Sequence, residues 1–295
     1  MATLEAIRRR IESTKDLQSV VKTMKGLAAA NIWHYEQAVK ALVDYSRTVE
    51  LGFQVVLKDR LAAVRMTDPA PDKRLGAVII GSDQGMVGRF NEQIVTFSLN
   101  EMNKLQIKRE NRSLLSIGVR VTGQLEMAKQ PIEESFSIPG SIEGITPMVQ
   151  EILVRLEAWR KERNLDQIVL FHNQPLTGAA YRPHLVQLLP INLDWLQSLQ
   201  EKPWPTRVLP TFTMEWEQLF SALIRQYFFV TLYRAFAESL ASENASRLAA
   251  MQVAEKNIEE SLDELQALFH RERQRTITEE LLDIVAGSEA LDKLS

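Results

Sequence analysis

After Pro210 the chain contains neither proline nor glycine until Gly287. Helices of compact domains average about three turns before a breaker intervenes. A stretch of this length therefore predicts a helix that one globule cannot hold: at about 1.5 Å of rise per residue it reaches roughly 110 Å. Such a rod needs another long helix to pair with, and the N-terminal end supplies one. From Thr3 to Asp68 there is no proline, and the only glycines are Gly26 and Gly52. The two chain ends predict a paired shaft, with something different between them.

Heptad spacing runs through the first of these helices. Steps of three and four from Leu4 put Ile7, Ile11, Val21, Ala28, Ile32, Tyr35, Val39, Leu42, Val49, Phe53 and Val56 in one stripe, with Thr14, Gln18, Lys25 and Ser46 as polar occupants. Sustained spacing of this kind predicts a left-handed coiled coil. Beside the polar stretch, Leu17, Val20, Met24 and Leu27 form a second apolar stripe. That stripe is either a wider core face or a surface for a second partner; the residues alone leave both open. In the C-terminal helix, residues 212–236 are dense in aromatics (Phe212, Trp216, Phe220, Tyr227, Phe228, Phe229, Tyr233, Phe236), which predicts burial on most sides. Residues 240–285 are thinner in apolar side chains and fit packing on one partner. The expected pairing is antiparallel, with Ile7–Leu42 facing roughly Leu240–Ile284.

The middle of the chain alternates. LGAVIIGS (75–82) is a buried-strand run, Asn91–Leu105 reads as a helix, Leu114–Val121 as a strand and Gly123–Lys129 as a short helix. Gly140, Gly144 and Pro147 mark a loop. Met148–Arg163 is an amphipathic helix, 167–173 a core strand and His184–Leu189 an edge strand. Strand–helix alternation with helices of this length predicts an α/β head with a Rossmann-like mixed sheet. Pro203, Pro205 and Pro210 then break the chain. The expected organisation is an N-terminal shaft helix over 1–68, an α/β head over 75–200 and a C-terminal shaft helix over 211–287 pairing with the first.

Composition excludes several classes. Hydrophobic residues make up 45% and charged residues 25%, as in ordinary globular protein, and the net charge of -3 argues neither for nor against nucleic acid. The absence of cysteine removes disulfides, thiolate nucleophiles and thiolate metal sites. No apolar run approaches the roughly 18 residues that a membrane span needs. Arg8, Arg9 and Arg10 are flanked by Glu5 and Glu12, unlike a transit peptide, and no apolar core follows them as in a signal peptide. The start is therefore read as part of the fold.

The glycine-rich string GSDQGMVGRFN (81–91) stands at a strand-to-helix turn, where glycine loops bind phosphate. Its glycines at 81, 85 and 88 do not match G-x-G-x-x-G, and no GK[ST] follows, so a tight turn at the sheet edge is the better reading. The histidines, His34, His172, His184 and His270, have no partners at metal-ligand spacing. Asp83 has no nucleophile or base nearby in sequence, so catalysis within this chain is not expected, nor is a cofactor. Two basic clusters remain: Arg8, Arg9, Arg10, Lys15, Lys22 and Lys25 on the first helix, and Arg271, Arg273 and Arg275 in HRERQR. A charge run is commonly a solvated face. The first cluster borders the second apolar stripe, and together they fit an acidic protein partner. Aromatics are not interleaved as nucleic-acid binding would require.

Three stretches resemble the gamma subunit of F-type ATP synthases. They are IRRRIESTKDLQSVVKTMKGLAAA (7–30), the turn at 81–91, and SLASENASRLAAMQVAEKN (239–257) followed by RERQRTITEELLDIVAGSEA (271–290). The last is similar to the family signature I-T-x-E-x-x-[DE]-x-x-x-G. The resemblance spans the chain. It implies a non-catalytic central rotor shaft that turns inside a ring of alpha and beta subunits and also meets an epsilon subunit and a membrane c-ring. It further implies a peripheral membrane location on the cytoplasmic, or stromal-equivalent, face as part of the F1 sector. By resemblance, Met24 matches a methionine near the catalytic subunits, and the basic cluster that holds Arg8, Arg9 and Lys25 is expected to meet acidic surface on the same ring. Arg247 matches an arginine of a contact segment, and Arg273 and Gln274 match a pair that hydrogen-bonds a catalytic-subunit loop. Thr278, Glu280 and Asp283 match polar positions of the signature helix. The chain departs from the pattern at Asn31, Trp33–His34, Arg89–Phe90 and Ser288, and its SEALDKLS tail is more charged than the family's apolar tip.

Two other classes share parts of this pattern. A stand-alone coiled-coil adaptor would have the rods without the 277–287 signature. A nucleotide-binding α/β enzyme would have the head without a breaker-free helix of this length.

Overall fold

The computed structural model describes residues 4–58, 73–176, 180–208 and 210–292, with side chains described as far as Ala286. The last part of the expected first shaft region, 59–68, and the charged side chains of the tail lie outside the described residues. The chain forms two compact units: Met1–Leu27 with Leu248–Ser295, and Ala28–Arg247. Helix α1 (Leu4–Leu57) and helix α6 (Trp216–Asp292) contribute to both.

Residues 28–247 hold a five-stranded sheet in the order β3-β2-β1-β4-β5. Strands β1 (Leu75–Ile80), β2 (Arg112–Ile117), β3 (Ile132–Phe136) and β4 (Gln167–Pro175) are parallel, and β5 (Tyr181–Leu189) closes one edge antiparallel to β4. Every residue of β1 is buried, as a central strand covered on both faces requires. On one face Ala77, Ile79, Val169 and Phe171 pack against α2 (Phe90–Lys104) and α3 (Val119–Met127). On the other face Val78, Ile80, Ile168 and Leu170 meet α4 (Ile145–Arg163), Tyr35 of α1 and Leu232 and Phe236 of α6. A third cluster joins Val49, Phe53 and Leu57 of α1 to Leu196 and Leu199 of α5 (Leu193–Glu201) and to Phe220 and Tyr227 of α6.

Within this unit the two long helices are antiparallel. Asn31 reaches Asn244 at 3.4 Å, Tyr45 reaches Gln226 at 2.7 Å, and the Trp216 indole donates to the Val56 carbonyl at 2.9 Å. The aromatic segment is half-buried from Trp216 to Tyr233 and fully buried at Phe236, whereas Phe212 stands ahead of the helix and is exposed. A polar stripe with one-turn spacing fastens α6 to the sheet. Glu238 Oε2 lies 2.8 Å from His172 Nε2, the Ser242 hydroxyl donates to the Asn173 carbonyl at 3.1 Å, and the Ser246 hydroxyl donates to the Val87 carbonyl at 2.6 Å.

Several elements differ from the sequence-based expectation. Strand β2 ends at Ile117 rather than Val121, because Gly118 takes φ +110° and starts α3 four residues earlier than expected. Pro147 lies in the first turn of α4 rather than in a loop, where its missing N–H costs no helical bond. Strand β3 and helix α5 were not expected at all.

The other unit pairs residues 4–27 of α1 with α6 from Leu248 onward. On α1 the heptad positions Leu4, Ile7, Ile11, Thr14, Gln18, Val21 and Lys25 are all buried or half-buried, polar occupants included. On α6 the matching seam is Met251, Glu255, Ile258, Leu262, Leu265, Phe269, Glu272 and Thr276. Steps of three and four on both helices are the coiled-coil pattern. Beyond Thr276 every described side chain of α6 is exposed, so the expected seam as far as Ile284 is too long. Helix α1 begins at Leu4.

Candidate functional site

The glycine turn at 81–91 directs its polar groups inward. Asp83 accepts from the Val119 N–H at 2.9 Å through one carboxylate oxygen and from the Ile138 N–H at 3.0 Å through the other, capping α3 and holding the segment after β3. Asn91 accepts from the Ser82 N–H at 2.9 Å and donates to its hydroxyl at 2.8 Å. A Cβ on Gly81 would stand 2.5 Å from that of Val121, and one on Gly118 would stand 2.8 Å from the Ser82 backbone. The glycines here serve close packing between loop and helix.

Arg247 is buried, and its guanidinium lies 2.6 Å from Glu243, one turn back on α6. Burial raises the Glu243 carboxyl above the ordinary carboxylate range and the Arg247 charge opposes that rise. Tyr35, nearby on α1, is raised by its own burial and then by Glu243. The chain thus places Arg247 in an internal ion pair rather than on an open surface.

The remaining expected contact residues lie in the coiled-coil unit. Arg8 pairs with Glu12 at 3.5 Å and Arg9 with Glu5, both fully local and exposed. Lys25 crosses the seam to Glu255 at 2.5 Å. Met24 is half-buried, while its stripe-mates Leu17, Val20 and Leu27 are 55%, 55% and 60% exposed. The second stripe is therefore no part of this chain's own core. Arg273 and the Gln274 side chain are exposed and make no hydrogen bond or ion pair among the described residues, although Arg275 between Glu272 and Glu279 is held at 3.2 and 3.3 Å. Thr278 turns its hydroxyl back onto the Gln274 carbonyl at 2.9 Å, and Glu280 and Asp283 face outward. The same overhang exposes Ile277, Leu281, Leu282, Ile284 and Val285. At about 100° per residue these apolar side chains cover roughly half the circumference of a helix that also carries the donors of Arg273 and Gln274. A lone helix with this surface is suited to being enclosed by other chains.

A family model described as ATP synthase matches residues 3–291. The chain belongs to the ATP synthase family. Among its relatives in that family, the ATP synthase gamma chain of Nostoc punctiforme is 27% identical over 319 residues, covering 99% of this chain and 100% of the relative. The ATP synthase gamma chain of Ehrlichia ruminantium (strain Gardel) is 29% identical, covering 99% of each. The fold matches that of solved ATP synthase rotors. A chain of the Euglena gracilis mitochondrial ATP synthase rotor superposes with a TM-score of 0.63 at 14% identity, covering 93% of this chain and 98% of that one. A chain of the Tetrahymena thermophila mitochondrial central stalk gives 0.60 at 21% identity, covering 80% and 99%. The ATP synthase resemblance drawn from three motifs therefore extends through the whole chain. What sequence reasoning missed is the buried polar stripe on α6: Glu238 and His172 are distant in sequence, and neither belongs to a recognisable motif.

Proposed function

We propose that this chain is the central rotor shaft of a rotary ATP synthase or ATPase, coupling ion translocation through a membrane ring to ATP synthesis or hydrolysis in a ring of alpha and beta subunits. The observation that carries this reading is the α6 overhang. It is exposed, apolar around Leu281, Leu282 and Ile284, and bears Arg273 and Gln274 without partners of their own. The open Leu17–Leu27 stripe, bordered by the cations Lys15 and Lys22, supplies a second surface for catalytic-subunit contact. Met24, Lys25, Arg8, Arg9, Thr278, Glu280 and Asp283 stand around these surfaces. Arg247 is itself buried in its pair with Glu243. The chain contributes no bond chemistry. Its partners are the alpha and beta subunits, an epsilon subunit and the c-ring.

No described helix is long and apolar enough to cross a membrane. In this reading, attachment to the membrane runs through partner subunits, on the cytoplasmic or equivalent face. Co-expression with alpha and beta subunits tests the reading. An α3β3 complex containing this chain should hydrolyse ATP, and cysteines at Leu281 or Ile284 should crosslink to the inner wall of the ring. Crosslinking only between copies of this chain would favour a coiled-coil adaptor instead.

A further inference from the structure

We propose that His184 and the His172–Glu238 pair form an acid-sensitive joint, which frees the edge strand β5 from α6 when His184 takes up a proton. His172 and His184 are directly opposed across the β4–β5 ladder, so their side chains share the face that meets α6. Their rings stand edge to face with centroids 5.5 Å apart. His172 is 2% exposed and its Nε2 meets Glu238 Oε2 at 2.8 Å, which ties β4 to α6. Its other ring nitrogen, Nδ1, is buried with no hydrogen-bond partner among the described residues. The two imidazoles line a cavity of about 290 Å³ between α1, the β4–β5 pair, α5 and α6.

Charged and titratable groups reach this cavity from α1, α6 and the β4–β5 pair. Glu50 comes from α1, Arg234, Tyr227 and Glu238 from α6, and Arg182 acts on His184 from β5 itself. Trp195 is the contribution of α5 and carries no charge. Glu238 is already engaged by His172, and Glu50 lies 3.4 Å from Lys202. A proton on His184 therefore creates an imidazolium beside a second imidazole, with both nearby carboxylates already facing other groups. Burial, and after it His172, holds His184 below the usual imidazole range; Glu238 opposes this and Arg182 adds to it. A histidine lowered in the folded state contributes stability that is present above the ordinary imidazole value and lost as the pH falls through the folded value. The strain falls on an edge strand that has only one ladder partner.

This device does not depend on the rotor reading, and its test uses the full-length chain alone. Hydrogen exchange, corrected for intrinsic rates, is measured between about pH 7.5 and about pH 5.5. Amides of Tyr181–Leu189 should lose protection over this range, by no more than about tenfold in all, the ceiling that uptake of a single proton sets about one pH unit below the ordinary imidazole value. Amides of β1 and β2 should hold theirs. His184→Gln, which cannot take up the proton, should remove the selective acid response. Should that variant fail to fold, the imidazole resonances of the wild-type chain answer the same question, with His184 titrating below the ordinary histidine range and β5 amide shifts following it. Uniform loss across the sheet, an unchanged acid response in His184→Gln, or an ordinary His184 titration would overturn the proposal.

Discussion

Lys25 and Glu255 meet at 2.5 Å across the coiled-coil seam, each at a heptad position that its neighbours fill with apolar side chains. A charged pair at such a position pins register, because sliding either helix by one turn leaves both charges against hydrocarbon. Lys25→Ala or Glu255→Ala should each lower stability by about 1 kcal/mol in denaturant titration, since both groups keep some access to water. Replacing both with leucine should restore the stability, yet cysteine pairs placed along the seam should then crosslink in more than one register. A single sharp register in the double variant would show that the apolar positions suffice.

Arg273 and Gln274 should act on turnover and not on folding. Both side chains are exposed and make no hydrogen bond or ion pair among the described residues, so alanine at both positions should change stability by less than about 0.5 kcal/mol. In an assembled α3β3 complex the same change should cut ATP hydrolysis severalfold or more, because the guanidinium and amide offer directional bonds to an enclosing loop. Normal turnover with normal assembly would assign them to water.

Glu243 and Arg247 make the opposite case. Removing the guanidinium leaves a buried carboxylate without its counter-charge, so Arg247→Ala should destabilise the chain by about 3 kcal/mol at neutral pH. With the arginine gone, the Glu243 carboxyl rises further above its unfolded value. The native state then gains protons relative to the unfolded state as the pH falls, and part of the loss should return near pH 5. Chemical denaturation at the two pH values reads this directly, and an equal loss at both would refute it.

Two glycines should respond in opposite senses. Gly118 has φ +110°, and an added Cβ would stand 2.8 Å from the Ser82 N and O, so Gly118→Ala should cost more than about 2 kcal/mol in thermal or chemical unfolding. Gly26 sits in the interior of α1 with nothing within 4 Å of such a Cβ. Gly26→Ala should stabilise the isolated chain by about 0.5–1 kcal/mol. A loss of stability at Gly26 would mean that the helix needs its flexibility even without partners.

Much of this architecture can be read from the residues, because long helices advertise themselves by what they lack. The heptad frame on α1 predicts its buried positions from Leu4 to Val56, and it holds even where Thr14, Gln18 and Lys25 interrupt the apolar pattern. The buried strands β1 and β4 show equally clearly as continuous apolar runs. Strand β3 is five residues long, lies at an edge and carries two adjacent glutamates, so its alternation is too brief to register. Helix α5 is a short segment hidden among prolines. The stripe Leu17–Leu27 was ambiguous because composition cannot say which of two apolar faces a helix keeps for its own chain; its exposure decides that. Glu238 and His172 are joined only by the fold, and local sequence gives no sign of their meeting.

The polar stripe on α6 has a mechanical consequence. Glu238, Ser242 and Ser246 recur at one-turn intervals, and their three partners belong to β4 and the 81–91 turn. Rotating the helix about its own axis by a single residue, about 100°, would carry all three side chains off their partners together. They act as the teeth of a keyed axle: no one bond is strong, but slip must break every tooth in the same instant. A twisting load on α6 is thereby shared along two turns of helix and delivered to the sheet as a whole.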